Sequence, residues 1–327
     1  MQSAVESSDD TTLYTTKRIL VTAPTNKAIT VIASRLLDSL PKESSINVVM
    51  IGVEDKLVPT DEINTQYHKS NDDSFKISSL SSSLRSIFVY TWTDSMISIY
   101  RSLTEKLTSD TMYSNEIHQI LDEVKNLENK IQRSIPRLAA QFSLLETSSM
   151  LVANLTSAIA ISKHDDDHSD IIENYLKDSK MNLHTIIDNL SHLKSSEVVQ
   201  ELLFTANVIF CTLSSSGVSS MKMTSHVDDL FVDEAAAATE AEICIPFHLR
   251  PKRMLAVGDP MQLPATIISR RAMELGLDKS LHERLMSECN TDHIMLDIQY
   301  RMKPDISKFP SKQFYNGKIM NGSNVTR

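Results

Sequence analysis

Cysteine is sparse in this chain, and the three present (Cys211, Cys244 and Cys289) are widely separated and odd in number. That excludes a disulfide framework and any C-x-x-C zinc site, and leaves small apolar side chains suited to a reducing compartment. No run of residues approaches the roughly 18 apolar positions that a bilayer-spanning helix requires, so no membrane partner is expected. The N-terminus, Met1-Gln-Ser-Ala-Val-Glu-Ser-Ser-Asp-Asp, is polar and acidic, which excludes a signal peptide. Residence in the cytoplasm or nucleus follows by default, although no basic cluster resembles an import signal. Positive charge is also short: 33 Lys and Arg against 42 Asp and Glu give a net charge of −9. That balance weighs little against nucleic-acid binding, because a strand can be held in a cleft whose local charge differs from the sum. No internal repeat is visible.

A chain of 327 residues, 41% hydrophobic and 23% charged, is long enough for two domains or for one large core with an insertion. Glycine is scarce, at 6 residues, and Gly52 and Gly258 directly close apolar runs. Those runs are short and rich in β-formers: Arg18–Thr22, Asn207–Thr212, Leu230–Asp233, Met254–Val257 and His293–Asp297. Each is followed by a polar loop and, usually, a helical pattern. Near-continuous apolar strands alternating with helices predict an α/β fold with a parallel sheet buried on both faces. Ligands of such sheets sit at the carboxyl ends of the strands.

Between about residues 44 and 200 the pattern changes. Asn47–Gly52 and Arg85–Tyr90 look like strands separated by serine-rich loops. From Asn115 the chain turns helical, with Ile117, Ile120, Leu121, Val124, Leu127, Ile131 and Ile135 on one face and Asp122, Lys125, Asn126, Asn129 and Arg133 on the other. Pro136 ends or bends this helix. The pattern resumes through Leu138, Phe142 and Leu145 to about Ile161, and a further helical segment spans Ser169 to Leu193. This predicts an inserted accessory domain, a small β part plus a helical stalk, that splits a sheet domain into two pieces: residues 1–43 and 201–290 around an insertion at 44–200, with 291–327 opening a second domain.

Three segments carry chemistry. Asp233-Glu234 follows the apolar run Leu230-Phe-Val. In phosphate-loop NTPases such a pair holds Mg²⁺ through the first carboxylate, and the second orients and deprotonates a water. Read blandly, the same pair starts a helix, since acidic residues favour a first turn and Ala235–Ala238 is a strong helix former. Gly258-Asp-Pro-Met-Gln-Leu-Pro264 follows a strand about twenty residues later. A Gly-Asp-Pro turn accounts for its first residues but leaves Gln262 and Pro264 unexplained. A glutamine at a strand end can report a γ-phosphate. Gln299-Tyr-Arg-Met302 offers an arginine suited to phosphoryl charge and a tyrosine with a flat face for a base. Alone, Arg301 would read as a structural ion pair.

Together these segments resemble the signature motifs of superfamily 1 helicases, in the senataxin-like and nonsense-mediated-decay branch. Val21-Thr-Ala-Pro-Thr-Asn26 is similar to motif Ia, and Asn207–Ser214 with Gly217 to the strand-binding segment before motif II. Asp233-Glu-Ala-Ala236 is similar to motif II and Gly258–Pro264 to motif III. Gln299–Met302, with Pro304 and Phe309–Tyr315, is similar to motif IV and its downstream helix. The likeness covers roughly residues 17–40 and 205–320. It implies a RecA-like fold that couples ATP and Mg²⁺ to movement along single-stranded RNA or DNA, 5′ to 3′, with the nucleus slightly favoured. Asp233 would bind Mg²⁺, Glu234 would be the general base, Gln262 and Arg301 would contact the γ-phosphate, and Tyr300 would pack on the base beside a nucleotide site that includes Gly258. Pro24, Thr25, Asn26, Thr212 and Ser214 would lie on the strand.

The departure from that family is as informative. No G-x-x-x-x-G-K-[ST] phosphate loop occurs in the 327 residues, and Thr16-Lys17 lacks the preceding glycines that form an anion nest. Motifs V and VI are also missing. The chain therefore reads as an internal fragment, a partial motor expected neither to hydrolyse ATP efficiently nor to fold robustly. The alternative is a non-catalytic nucleic-acid-binding scaffold that lost its nucleotide site, but such a relic has no need of Glu234, Gln262 and Arg301, which are all present. His164-Asp-Asp-Asp-His168 has metal-like spacing but lacks apolar support, so a solvated loop is the reading. Asn154-Leu-Thr156 and Asn324-Val-Thr326 match glycosylation acceptors without a secretory signal.

Overall fold

In the computed structural model, residues 17–41, 44–52, 82–107, 114–162, 169–224, 226–289 and 291–326 are described. The start of the chain, most of the serine-rich loops and the His164–His168 stretch lie outside them. Strands β1 (Ile19–Ala23), β2 (Val48–Met50), β3 (Val208–Thr212), β4 (Asp229–Val232) and β5 (Arg253–Ala256) form one sheet in the order β2-β3-β1-β4-β5. The central strand β1 runs parallel to both neighbours, with Ile19 opposite Val208 and Asp229, and Ala23 opposite Thr212. Strand β2 runs parallel to β3. Leu20, Ala23, Ile209, Phe210, Leu230 and Val232 are buried, as expected for inner strands covered on both faces. Among the described residues β5 is an outer strand, and its Leu255 is 52% exposed.

Helix α1 (Asn26–Ser39) begins where β1 ends, because the Thr25 hydroxyl accepts the Ala28 N–H at 3.3 Å and so caps the first turn. Its Ile29 and Ala33 pack with Met50, Phe88 and Phe210. The run Arg85–Tyr90, expected to be a strand, is instead a short helix, α2 (Ser82–Arg85), followed by a turn. Ile87, Phe88 and Val89 are consecutively buried, a pattern that periodicity cannot tell from a buried strand. The turn covers the outer side of β2: Met50 N–H donates to Ile87 C=O at 2.7 Å, and Val89 N–H donates to Met50 C=O at 3.0 Å. Asn47–Gly52, read as part of the insertion, therefore belongs to the main sheet, and the boundary set at residue 44 moves beyond β2.

Helices α3 (Trp92–Lys106), α4 (Ser114–Ser134), α5 (Pro136–Gln141), α6 (Leu144–Ser162), α7 (Ser169–Ser191) and α8 (Ser195–Thr205) fill the chain between β2 and β3. All seven apolar positions predicted for α4 and its end are buried, and the five polar ones are exposed. Pro136 opens α5, which starts on a buried carboxylate: Glu201 of α8 accepts the N–H groups of Arg137 and Leu138. The stalk helices pack as a cluster of four. Helix α6 lies against α4 and α7, α7 against α3, and Lys106 of α3 pairs with Glu123 of α4 at 2.8 Å. Helix α6 also corrects the expectation about apolar runs, since by length and composition it suffices to cross a bilayer. Here Leu151, Leu155, Ala158 and Ile159 are buried in that cluster.

The remaining elements are short: α9 (Glu240–Cys244), α10 (Arg270–Glu274), α11 (Leu281–Ser287), β6 (Ile298–Gln299), α12 (Pro304–Phe314) and β7 (Met320–Asn321). Strand β6 pairs in parallel with β7. The predicted strand His293–Asp297 has no ladder among the described residues, and pairing begins one residue later. Two compact units result, Met1–Val232 with Ile245–Leu255 and Asp233–Cys244 with Ala256–Arg327. The boundary expected near residue 290 lies inside the second.

Arg18 ties the first unit together. Its side chain is 8% exposed and donates to the carbonyls of Leu203 and, at 3.3 Å, Ala206, at the end of α8. A cation suits that negative end of the helix dipole. Its own N–H donates to Asp228 Oδ2 at 3.0 Å, and Asp228 N–H returns a bond to Arg18 C=O at 2.8 Å. Burial holds the guanidinium below its ordinary pKa, against the opposing pull of Asp228. Arg18→Leu keeps volume but strands the carbonyls, so stability should fall by about 2–3 kcal/mol, read as a lower denaturant midpoint at unchanged slope. Asp228 adds a pH term: hydrogen bonds from Lys252 and from the Arg18 N–H hold its pKa low. A depressed carboxylate pKa contributes stability above the ordinary carboxylate range and loses it as pH falls through the folded value. Asp228→Asn should therefore flatten the acid limb of the unfolding profile.

Candidate active site

The acidic pair stands on the turn that follows β4. Asp233 is half-buried and Glu234 exposed, and neither carboxylate has a partner among the described residues. Glu234 has φ +52° and ψ +37°, a left-handed conformation that costs a non-glycine residue on the order of 1 kcal/mol. The turn is held there by backbone bonds, Ala237 N–H to Glu234 C=O at 2.9 Å and Ala235 N–H to Val257 C=O at 2.8 Å. The four alanines do not form the helix that their composition favours. Ala235–Ala237 is a single 3-10 turn, with Ala235, Ala236 and Ala238 buried. Small side chains fit here because the next segment presses against the turn. A Cβ on Gly258 would lie 2.7 Å from Ala236 N and 3.0 Å from Ala235 N, too close for any side chain. The two motifs read separately from the sequence are thus one packed junction.

Beyond Gly258 the chain folds around Asp259. Its Oδ1 accepts the Met261 N–H at 3.0 Å, and its Oδ2 accepts Gln262 Nε2 at 2.8 Å. The Gln262 N–H also donates to Asp259 C=O at 3.1 Å. Glu234, Ala236, Ala237, Asp259, Met261, Gln262 and Leu263 line an open cleft of about 460 Å³. The predicted base and γ-phosphate sensor therefore share one cleft. In the same unit Arg284 of α11 holds Glu240 of α9 through a two-pronged pair at 2.6 and 2.7 Å. That pair lowers the Glu240 pKa and raises that of Arg284.

Tyr300 and Arg301 do not line the cleft. Both are exposed, Tyr300 by 61%, and the tyrosine ring lies against Gly322, where a Cβ would approach it to 2.3 Å. Their turn is organised by Gln299, whose Oε1 accepts the N–H groups of Arg301 and Met302 and whose Nε2 donates to Met302 C=O at 2.7 Å. In the first unit, pairing of β1 with β3 brings Pro24, Thr25 and Asn26 beside Thr212 and Ser214 at the carboxyl ends of those strands. Two of these hydroxyls already have structural work: Thr25 caps α1, and Thr212 Oγ1 donates to Ser215 Oγ at 2.9 Å.

Among the described residues no three His, Cys, Asp or Glu side chains cluster to form a metal cage. Mg²⁺ does not need one, since it keeps most of its waters and takes one or two carboxylates. The unpartnered oxygen donors of Asp233 fit that requirement.

Sequence reasoning missed three residues of this arrangement: Asp259, Gln299 and Tyr315. All three stand inside the quoted segments, but a turn aspartate, an amide and a tyrosine after a helix reveal their roles only through their bonds.

A family model described as an AAA domain matches residues 1–270, and a second of the same description matches residues 277–327. Helicase sen1 of Schizosaccharomyces pombe is 40% identical over 125 residues, covering 38% of this chain and 7% of that protein. The probable helicase MAGATAMA 3 of Arabidopsis thaliana is 44% identical over 125 residues, covering 38% and 15%. The ATP-dependent helicase NAM7 of Saccharomyces cerevisiae is 38% identical over 125 residues, covering 38% and 13%. The matched part of this chain thus spans a small fraction of each relative's length. With a RecA-like parallel sheet, motifs in order on its strand ends and model matches over nearly the whole sequence, the chain belongs to the superfamily 1 helicases of the senataxin and nonsense-mediated-decay branch.

Proposed function

We propose that these residues form part of an ATP-hydrolysing motor that moves 5′ to 3′ along single-stranded RNA or DNA. The observation that carries this reading is the shared cleft of Glu234 and Gln262, with Asp233 adjacent on the same turn. Glu234 would take the proton of the attacking water, and its fixed left-handed backbone aims the carboxylate without reorganisation at the moment of reaction. Gln262 would hold a γ-phosphate oxygen through its amide. Asp233 would hold Mg²⁺ through its water shell, and the bound ion would supply positive charge beside the phosphates. Arg301 and Tyr300 would meet the phosphate charge and the base, roles that rest on the family resemblance. Pro24, Thr25, Asn26, Thr212 and Ser214 would contact the strand through backbone and bases without reading sequence.

A scaffold that binds nucleic acid without turnover is the alternative against which this reading is tested. The two separate in the complete gene product: the motor releases phosphate when a single strand is added, and the scaffold binds the strand without doing so. Glu234→Gln should lower strand-stimulated kcat by about 10²–10⁴ with ATP binding retained, and unchanged turnover would sink the motor reading. Gly258→Ala tests the junction. Its methyl must displace the Ala235–Ala236 backbone, so phosphate release should drop by about 10², the scale of a misplaced catalytic group.

A further inference from the structure

The turn after β5 contains a bond that the proposed reaction leaves unused. Asp259 Oδ2 accepts twice, from Gln262 Nε2 at 2.8 Å and from the Tyr315 hydroxyl at 2.5 Å. Tyr315 directly follows α12, and its N–H donates to Ser311 C=O at 3.1 Å, so the last turn of that helix places the ring.

The side chain of Gln262 has two nearly isosteric ends, an oxygen that only accepts and a nitrogen that only donates. An ionised carboxylate only accepts, so Asp259 selects the nitrogen as its neighbour and rejects the reversed amide, which would set oxygen against oxygen. The carboxylate is ionised at neutral pH: burial pushes its pKa up, but the bonds from Tyr315, Gln262 and the Met261 N–H more than offset that. The tyrosine stays protonated as a donor, pushed up to about 12 by burial and by its bond to Asp259. The same amide also bonds Tyr315, so its nitrogen is fixed as the end that donates, to a phosphate oxygen among others, and its carbonyl is kept for a proton of the attacking water. The reversed amide would reverse those roles.

We propose that Tyr315 is a positioning residue for Gln262, acting through Asp259 and through its own bond to the Gln262 amide, so that the γ-phosphate sensor is set only while the end of α12 is seated on the Gly258–Pro264 turn. The inference rests on the motor reading above. It makes nucleotide sensing conditional on the placement of the helix downstream of the Gln299–Met302 turn, through a hydroxyl that touches no reacting atom.

The test uses the complete gene product and Tyr315→Phe, which removes one oxygen and keeps the ring. Equilibrium titrations compare ADP with a non-hydrolysable ATP analogue, and strand-stimulated phosphate release is measured alongside. The preference for the triphosphate analogue should fall about tenfold, the scale of one hydrogen bond to a charged group. Affinity for ADP and the thermal midpoint should not move, and kcat should fall while KM changes little. In a Gln262→Ala background Tyr315→Phe should have no further effect, an outcome that a merely structural role does not produce. Should Tyr315→Phe fail to fold, Asp259→Asn serves, since it keeps the shape but no longer rejects the reversed amide, and the same loss of triphosphate preference is expected. An unchanged preference in either folded variant, or an additive loss in the Gln262→Ala background, overturns the inference. Glu234→Gln separates the two levels: if it leaves turnover intact the motor reading fails, and if it abolishes turnover while Tyr315→Phe retains full triphosphate preference, only the role of Tyr315 fails.

Discussion

The candidate site depends on one backbone junction. The Ala235 N–H reaches Val257 C=O at 2.8 Å, and the bare Cα of Gly258 lies against the next peptide. That bond, with the Ala237 N–H to Glu234 C=O at 2.9 Å, holds Glu234 at φ +52°, where a glutamate does not settle unaided. The left-handed residue turns the chain sharply after β4, so Glu234 faces the cleft that Gln262 also lines. Conformational cost at Glu234 and the absence of a side chain at Gly258 belong to one device. The first aims the carboxylate, and the second lets the strands' ends close around it.

Much of the sheet was legible because its strands are buried on both faces. Leu20, Phe210 and Leu230 sit in apolar runs of the right length, closed by turn residues, and these runs appear within a residue or two of the predicted places. Helix α4 was legible for the complementary reason, since its apolar stripe and charged face follow a 3.6-residue period. Arg85–Tyr90 misled because Ile87, Phe88 and Val89 are all buried in a turn. In such a run the usual alternation carries no information. The alanine run misled through propensity: four alanines favour helix, but Gly258 and the Val257 carbonyl impose a 3-10 turn on them.

The candidate site was legible as a set of side chains and not as an arrangement. Asp233, Glu234 and Gln262 are legible from their places at strand ends, where ligands of a parallel sheet sit. Gly258 was named too, as part of the nucleotide site, whereas its visible part is to admit the Ala235–Ala236 backbone. Asp259 and Gln299 went unnoticed because their work is to hold other groups. Each uses a short polar side chain to satisfy nearby N–H groups, as the ordinary turn chemistry of Asp and amide residues allows. Nothing in their identity separates that service from a common turn.

The helical excursion between β2 and β3 raises a different question, namely how adjacent strands stay in register across it. Closing a longer loop adds only slowly to the entropy cost, so length itself is a minor obstacle. Register demands local clamps between the paired strands, and polar groups supply them where β2 and β3 begin. Asn207 Oδ1 accepts the Asn47 N–H at 2.8 Å, the Asn207 N–H donates to Asn47 C=O at 2.9 Å, and Asn47 Nδ2 donates to Arg133 C=O at 2.7 Å. Arg18 then fastens the end of α8 to the first residues of β1 and β4. Slippage by one residue would turn the inner strands' buried side chains to the opposite face and unmake each of these bonds together. These clamps all lie at the amino ends of strands: Arg18 before β1, Asn47 before β2, Asn207 before β3 and Asp228 before β4.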